Sequence, residues 1–428
     1  MNRLIISGIL GVGLLCLSGG AATAAPKLRI AVDQPGDFAL IGSTLGHDCN
    51  KRTPLPVVGE IGNCGRETST VTDSAPDVLW RADSPEAGDA VANAEITAAE
   101  ARTAAMLEMP AGAKVTHAFL YWGARNASDG GADMNVTLDR EGGFREELEA
   151  IDGWEVTVNK GKPDEAHVYQ AVADVTTIVQ AHGPGAYRVG GVDMAPVVDV
   201  SDTRNFGGWW MVVLYEAPGM PPRNLAIFDG LDRVSKGYPQ AFALEGIRAP
   251  EDGLEAKLGV VGYEGDHNIG GDRLFINPSS SSPDPSEALG DAVNPPDNFF
   301  NGSRGWLGEA VSVDGDLPQL TGEPQSMPGV DLDVVDVSSK INAGATSIQV
   351  LASAAQTDGG AELYFMGGWV TSIASGPGAY LTGSGMFGVC SASAGIGGAR
   401  GACDGLAPWL FAAALTGLGG LRRARRRP

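Results

Sequence analysis

The residues best suited to chemistry lie in a glycine-rich acidic loop at residues 264–272, which reads EGDHNIGGD. Glu264, Asp266 and Asp272 offer the hard oxygen ligands that Ca²⁺ takes in proteins, and the glycines allow a tight turn. The loop lacks the D-x-D-x-D-G spacing and the final Glu of an EF-hand. A solvated hairpin loop, in which Asp and Asn stabilise turns, is the alternative. The sequence therefore predicts either a calcium site or an ordinary turn here.

Further acidic residues lie in two other stretches. Asp229 and Asp232 could add ligands to such a site, but they are more simply predicted to close a turn after the strand at 225–228. Asp331, Asp333 and Asp336 alternate through an apolar segment, so the first two should share one face of a strand. An exposed edge or a solvent-facing surface explains them at least as well as a ligand site.

Two cysteines bracket a loop rich in Pro and Gly. Cys49 and Cys64 are close in the chain, and no CxxC or His partner has the spacing of a zinc site. A local disulfide between them is therefore the simpler prediction. A disulfide would fit an exported protein, because oxidising compartments are where disulfides persist.

The first 24 residues have the pattern of a secretory signal peptide. Arg3 supplies the positive charge, an apolar stretch follows, and Ala22-Thr23-Ala24 is an A-x-A cleavage site. A lipoprotein signal ending at Cys16 is disfavoured, because a bulky Leu15 precedes that cysteine where a small residue is usual. We expect the mature chain to be exported.

The other end of the chain predicts retention at a surface. Residues 375–404 form a Gly/Ser/Ala-rich linker, and residues 405–428 combine a short apolar helix with an arginine cluster. This layout is typical of a C-terminal sorting signal that is cut after export, much as a GPI signal loses its tail. The alternative is a permanent tail anchor. Both predict anchoring at the cell surface, with an envelope component or a sorting protease as partner.

Composition and turn residues predict an all-β protein. The 428 residues include 61 Gly and 26 Pro, which suits many short strands joined by turns. The apolar run 209–215 predicts a strand buried on both faces. We expect two jelly-roll-like β-sandwiches with short helical turns, at residues 25–203 and 204–374, which could share or exchange strands.

Two short repeats support this division. Asp174-Val175-Thr176-Thr177 is followed by a Gly-Ala pair before a strand, and so is Asp336-Val337-Ser338-Ser339. The D-V-[ST] turn resembles one in galactose-binding-like jelly rolls, where the polar side chains cap a short helix. Residues 119–122 also parallel residues 213–216, which suggests equivalent strands.

Aromatic residues raise the possibility of sugar binding. Trp209 and Trp210, with Tyr121 and Trp122, lie in apolar strands and are better explained by core packing. Trp306 lies in a predicted exposed loop and is the better candidate for a ligand contact.

Charge and motifs bear on other classes of function. The formal net charge of −22 disfavours nucleic acid as a partner. The chain has no G-x-S-x-G, H-E-x-x-H or P-loop motif, and its five histidines are dispersed. A hydrolase built on two carboxylates is the remaining enzymatic alternative, because spacing in sequence does not give distance in space.

Several stretches together resemble the N-terminal domain of large myxobacterial surface proteins of the adventurous-gliding-motility type, which is related to domains preceding adhesin-like repeat arrays. The stretches are GDFALIG (36–42), APDV (75–78), LYWG (120–123), GWW (208–210), PRNL (222–225), YEGD (263–266), NFFNG (298–302) and DVVDV (333–337). The tail from Cys390 resembles the myxobacterial sorting signal, although Cys403 is a second cysteine nearer the helix. The long repeat array is absent.

The resemblance implies surface display at the outer membrane, with a non-enzymatic role in adhesion, envelope structure or motility. The resemblance implies no known ligand, and we expect surface glycans or other surface proteins as partners. A calcium-dependent or lectin-like module is the alternative, and no catalytic residue is transferred.

Overall fold

The computed structural model describes residues 26–49, 53–64, 77–126, 131–163, 165–195, 206–245, 247, 249–252, 254–357 and 360–374. All of them belong to one compact unit, Met1–Tyr380. The predicted signal peptide and the tail with Cys390 and Cys403 lie outside the described residues. No helix among the described residues has the length and apolar character needed to cross a membrane.

The protein is all-β, as predicted. The strands of the first part of the chain are β1 (Lys27–Thr44), β2 (Gly46–His47), β3 (Glu60–Ile61), β4 (Val78–Ser84), β5 (Asp89–Asn93), β6 (Arg102–Leu107), β7 (Lys114–Arg125), β8 (Asn135–Arg140), β9 (Phe144–Glu149), β10 (Asp152–Val158), β11 (Ala166–Asp174), β12 (Gly185–Gly190) and β13 (Gly207–Glu216). A short helix, α1 (Thr176–His182), precedes β12.

The remaining strands are β14 (Pro222–Ser235), β15 (Gln240–Glu245), β16 (Ala256–Tyr263), β17 (Asp272–Ile276), β18 (Arg304–Trp306), β19 (Glu309–Ala310), β20 (Val330–Asp336), β21 (Ser347–Ala354), β22 (Gln356–Thr357), β23 (Gly360–Ala361) and β24 (Leu363–Ala374). Single 3₁₀ turns lie at Ala98–Glu100, Pro285–Glu287 and Ser338–Lys340.

Three sheets carry the fold. The long sheet has the order β10-β11-β7-β13-β1-β14-β24-β16-β20-β18-β19. The first outer sheet has the order β3-β5-β4-β6-β12-β8-β9, with β2 paired to β4, and the second outer sheet has the order β15-β21-β17. A two-stranded ribbon, β22 with β23, is separate.

The long strand β1 divides the long sheet into two halves. Its first half pairs with β14, from Lys27 opposite Asp229 to Pro35 opposite Pro222. Its second half pairs with β13, from Gly36 opposite Glu216 onwards. The two halves of the long sheet therefore share one strand, and the change of partner falls at a Pro-Gly pair.

Apolar side chains form three main cores between these layers. The first core lies between the first half of the long sheet and the first outer sheet, and includes Leu120, Trp209 and Tyr187. The second core lies between the second half and the second outer sheet. The central core joins the two halves of the long sheet face to face, because it combines residues such as Trp210 of β13 with Val261 of β16. Both halves are thus covered on both faces.

The two halves repeat one topology. In the first, β7 lies between β11 and β13, and β12 lies between β6 and β8. In the second, β16 lies between β20 and β24, and β21 lies between β15 and β17. The strands follow one another along the chain in the same order in both halves, so the predicted internal repeat is present in the pairing pattern.

The D-V-[ST] turns occupy equivalent places in this repeat. Asp174 Oδ1 accepts from the Thr176 amide at 2.9 Å, and Asp336 Oδ1 accepts from the Ser338 amide at 2.8 Å. The Thr176 hydroxyl also accepts from the Ala118 amide of β7, and the Ser338 hydroxyl accepts from the Ala256 amide of β16. These side chains connect the end of one strand to the start of the next.

The predicted boundary between the sandwiches is wrong for β13. A boundary between residues 203 and 204 would place this strand in the second sandwich, but it pairs with β1 and β7 of the first. Residues 119–122 and 213–216 are therefore on neighbouring strands and not on equivalent ones. The counterpart of β13 is β24: Gly207-Gly208-Trp209 matches Gly367-Gly368-Trp369, and each tryptophan enters the core beneath its own outer sheet.

Buried polar side chains hold the two halves together across the central core. A bulge in β14 and β24 leaves Gly230 and Gly367 out of register. Gln170 of β11 donates from Nε2 to both of their carbonyl oxygens, at 2.6 and 2.8 Å. Its Oε1 accepts from the Tyr263 hydroxyl at 2.6 Å and from the Trp210 indole at 3.2 Å. One amide thus satisfies groups on four other strands.

Replacing Gln170 by leucine should destabilise the protein strongly. The substitution leaves two buried carbonyl groups without their donor, removes the acceptor of the Tyr263 hydroxyl, and leaves the Trp210 indole with the Tyr263 hydroxyl as its acceptor. We expect the free energy of unfolding in urea to fall by about 3 kcal/mol. Gln349→Leu, at an exposed position of β21, is the matched control and should change it by less than about 0.5 kcal/mol. Equal effects of the two variants would contradict this role of Gln170.

Candidate functional site

The acidic loop lies at one end of the second half of the protein. Glu264 directly follows β16, and Asp272 opens β17. Both are buried, at 3% and 0% exposure, whereas Asp266 between them is partly exposed. The ends of the loop are therefore buried, whereas residues 266–270 are partly or fully exposed and include a turn in which the Ile269 amide donates to the Asp266 carbonyl. The loop is not a hairpin, because β16 and β17 lie in different sheets.

Strand pairing brings further carboxyl groups to this end. β16 ends where β20 and β24 begin, because Tyr263 lies opposite both Val330 and Phe365. Asp331 and Asp333 of β20 are therefore close to the loop, and so is Glu362, which immediately precedes β24. All three are 0% exposed. We call Asp266, Asp272, Asp331, Asp333 and Glu362 the acidic cluster.

The structure corrects the expectation for Asp331 and Asp333. They do share one face of a strand, but that face is fully buried and not exposed to solvent. The exposed edge or solvent face is therefore the wrong alternative, because an alternation of apolar and acidic residues does not distinguish a solvent-facing strand from a buried row of carboxyls. Sequence reasoning missed Glu362 entirely, because only the non-local pairing of β24 with β16 places it here.

The loop 298–303 donates hydrogen bonds to the acidic cluster, two from backbone amides and one from a side-chain hydroxyl. The Phe300 amide donates to Asp272 Oδ2 at 2.5 Å, and the Gly302 amide donates to Asp331 Oδ1 at 2.7 Å. The Ser303 hydroxyl donates to Asp333 Oδ1 at 3.3 Å. One oxygen of each aspartate therefore holds the NFFNGS segment in place.

Other carboxyl oxygens of the cluster have no hydrogen-bond partner among the described residues. They are Asp272 Oδ1, Asp331 Oδ2, Asp333 Oδ2 and both oxygens of Glu362. Within the described part of the chain, no three His, Cys, Asp or Glu side chains already stand in an arrangement that could hold a metal ion. The calcium site at Glu264, Asp266 and Asp272 therefore stays a prediction.

Burial and mutual repulsion favour the protonated form of these groups. Burial raises the pKa of Asp272 and of Asp266 to about 7. Burial, with repulsion from Asp266 and Asp272, raises the pKa of Glu362 to about 11. Burial and repulsion from Asp333 raise the pKa of Asp331 well above its usual value. In the absence of a cation, the cluster therefore retains protons at neutral pH.

The other predicted acidic residues have separate roles. Asp229 and Asp232 do not close a turn, because β14 continues through both. Asp229 accepts from Arg29 Nε and from the Tyr121 hydroxyl, each at 2.6 Å, across the central core. Asp232 is 1% exposed, and neither of its carboxyl oxygens has a hydrogen-bond partner among the described residues.

Trp306 is not on an exposed loop. It lies in β18, is half-buried, and its ring centroid is 6.0 Å from that of Phe38. The ammonium group of Lys257 lies 5.0 Å from the Trp306 ring centroid. The side chain therefore packs over a lysine of the protein itself, which leaves less of its ring for a ligand than predicted.

The predicted disulfide is present. Cys49 and Cys64 are bonded, with their Cα atoms 5.3 Å apart. Both pack against a small separate cluster of apolar residues that includes Trp80 and Leu317. The bond thus links the described residues that follow β3 to those that follow β2.

Comparison with known proteins gives no relative for this chain. No family model, no curated protein and no solved structure matches it.

Buried Asp232 provides a test of how protonation affects stability. Burial alone raises its pKa to about 7. Such a group binds its proton more tightly in the folded than in the unfolded chain. Its contribution to the free energy of unfolding is therefore fully present below about pH 4 and is lost as the pH rises towards 7. When the free energy of unfolding is measured in urea with EDTA, Asp232→Asn should therefore reduce its decrease with pH by up to about 1.4 kcal/mol per pH unit between about pH 4 and 7. Asp252→Asn, at an exposed position, should leave the slope unchanged, and equal slopes in all three proteins would refute the burial argument.

Proposed function

We propose that this chain is an exported, non-enzymatic β-sandwich protein that is displayed at the cell surface and acts in adhesion, envelope structure or surface motility. The observation that carries the proposal is the disulfide between Cys49 and Cys64. Disulfides persist in oxidising compartments outside the cytoplasm. This agrees with the secretory signal pattern at residues 1–24.

A non-enzymatic role is supported by the hydrogen bonds of several buried polar groups, which connect strands and loops. Gln170 is engaged with backbone carbonyls, and Asp229 is engaged with Arg29 and Tyr121. Asp272 and Asp331 accept from backbone amides of the loop 298–303. Each of these groups holds strands or loops in place, which is what a rigid display domain requires.

We further infer that each half is a jelly-roll-like sandwich. The support is the repeated topology and the D-V-[ST] turn, which stands at the same place in both halves and there connects an inner to an outer sheet. Anchoring is supported by the sequence of residues 405–428 alone, and the implied partners are an envelope component or a sorting protease.

Protease treatment of intact cells tests display and anchoring together. Wild-type chain should be cell-bound and accessible to added protease. A chain lacking residues 405–428 should instead be released into the medium, because it lacks both the apolar segment and the arginine cluster. A matched variant that keeps the apolar segment and replaces the five arginines by glutamine tests the basic cluster separately. The anchoring proposal fails if the deleted chain remains cell-bound to the same extent as wild type.

A further inference from the structure

The second core contains carboxyl groups where the first core does not. When the two halves are aligned on Asp174 and Asp336, Asp331 corresponds to Tyr169 and Asp333 to Ala171. In the first half these positions belong to the apolar core. The fold therefore does not itself require acidic side chains at these positions of β20.

These acids are buried without compensating cations. Asp272, Asp331 and Glu362 are each 0% exposed, and none forms an ion pair with a described residue. An uncompensated buried carboxylate is costly, so such a group either keeps its proton or binds a cation. Each of the three has at least one oxygen without a hydrogen-bond partner among the described residues.

The backbone beside these oxygens approaches closely. A Cβ atom at Gly265 would overlap both the Phe300 carbonyl oxygen and Asp331 Oδ2. The absence of a side chain at Gly265 thus lets a carbonyl oxygen and a carboxyl oxygen face the same point of the acidic loop. Carboxylate and backbone carbonyl oxygens are the ligands of a calcium ion.

We propose that Asp272, Asp331 and Glu362 form a buried site for one hard divalent cation of the Ca²⁺ type, with the Phe300 carbonyl as a further ligand. The ligands are all oxygen, which disfavours Zn²⁺ and Cu²⁺. A site whose three carboxyl ligands are fully buried also disfavours Mg²⁺, which keeps several of its waters. The proposal does not depend on surface display.

A bound cation would join the separate carboxyl groups of the site by coordinating all of them. In the described residues the carboxyls are not yet gathered at ligand positions, so binding must displace their protons and bring their oxygens closer together. The ion would then link the starts of β17, β20 and β24 with the loop 298–303. Its expected effect is to lock this end of the second half.

Terbium luminescence with the full-length chain at pH 8 is the first test. Tb³⁺ substitutes for Ca²⁺ and is excited through nearby tyrosines, and Tyr364 stacks on Phe300 with ring centroids 4.4 Å apart. We expect saturable Tb³⁺ emission that added Ca²⁺ suppresses. Ca²⁺ at one hundred times its Kd should also raise Tm by about 5 °C relative to EDTA.

Two isosteric variants and one control locate the site. Glu362→Gln and Asp272→Asn should each weaken the affinity for Tb³⁺ and for Ca²⁺ at least tenfold, as measured by the Tb³⁺ emission and by the Tm response. Both variants should remain folded in EDTA, because each removes a buried acid. Asp232→Asn also removes a buried acid but lies outside the cluster, and it should keep both responses. The proposal is overturned if wild type shows no response to either ion. It is equally overturned if Glu362→Gln and Asp272→Asn respond like wild type, since the ion is then bound elsewhere.

Discussion

The structure depends on one strand that completes both halves of the long sheet. β1 gives its first nine residues to β14 and its last nine to β13, so each half of the long sheet is completed by a different part of the same strand. Because the backbone of β1 is hydrogen-bonded to β14 along one part and to β13 along the other, it fixes the position of the two halves relative to each other. The central core then follows, because the two inner faces have only each other to pack against. Neither half is a separate domain in the usual sense.

Burial on both faces also explains the distribution of polar groups. The inner strands, such as β13, are apolar throughout, whereas β21 in the second outer sheet alternates between buried and exposed residues. Two polar groups that reach the central core are hydrogen-bonded there: Gln170 to backbone carbonyls and aromatic side chains, and Asp229 to Arg29 and Tyr121. The acidic cluster departs from this pattern, because it retains carboxyl oxygens without partners among the described residues.

Sequence reasoning succeeded where the signal was local. The all-β class, the strand at 209–215, the D-V-[ST] turns and the Cys49–Cys64 bond each depend on residues near one another in the chain. It failed where partners are distant. A strand that is apolar on both faces carries no alternation to identify its neighbours, so β13 was assigned to the wrong half.

The candidate site was predicted only in part for the same reason. The acidic loop at 264–272 was found, because its composition is unusual. The burial of Asp331 and Asp333 and the contribution of Glu362 depend on the pairing of β16 with β20 and β24, which no local pattern reports. Trp306 was misplaced because a three-residue strand in parallel pairing with β20 has too little sequence to be recognised.

The shared strand also sets an order of events for a chain that emerges from its N-terminus. β1 is among the first segments to appear, yet both of its partners, β13 and β14, follow much later. Until they appear, neither half of the long sheet can close, and the early strands stay without their core. Such a delay opposes folding during synthesis, when N-terminal domains usually fold first. The architecture therefore postpones its own assembly until most of the chain has been made.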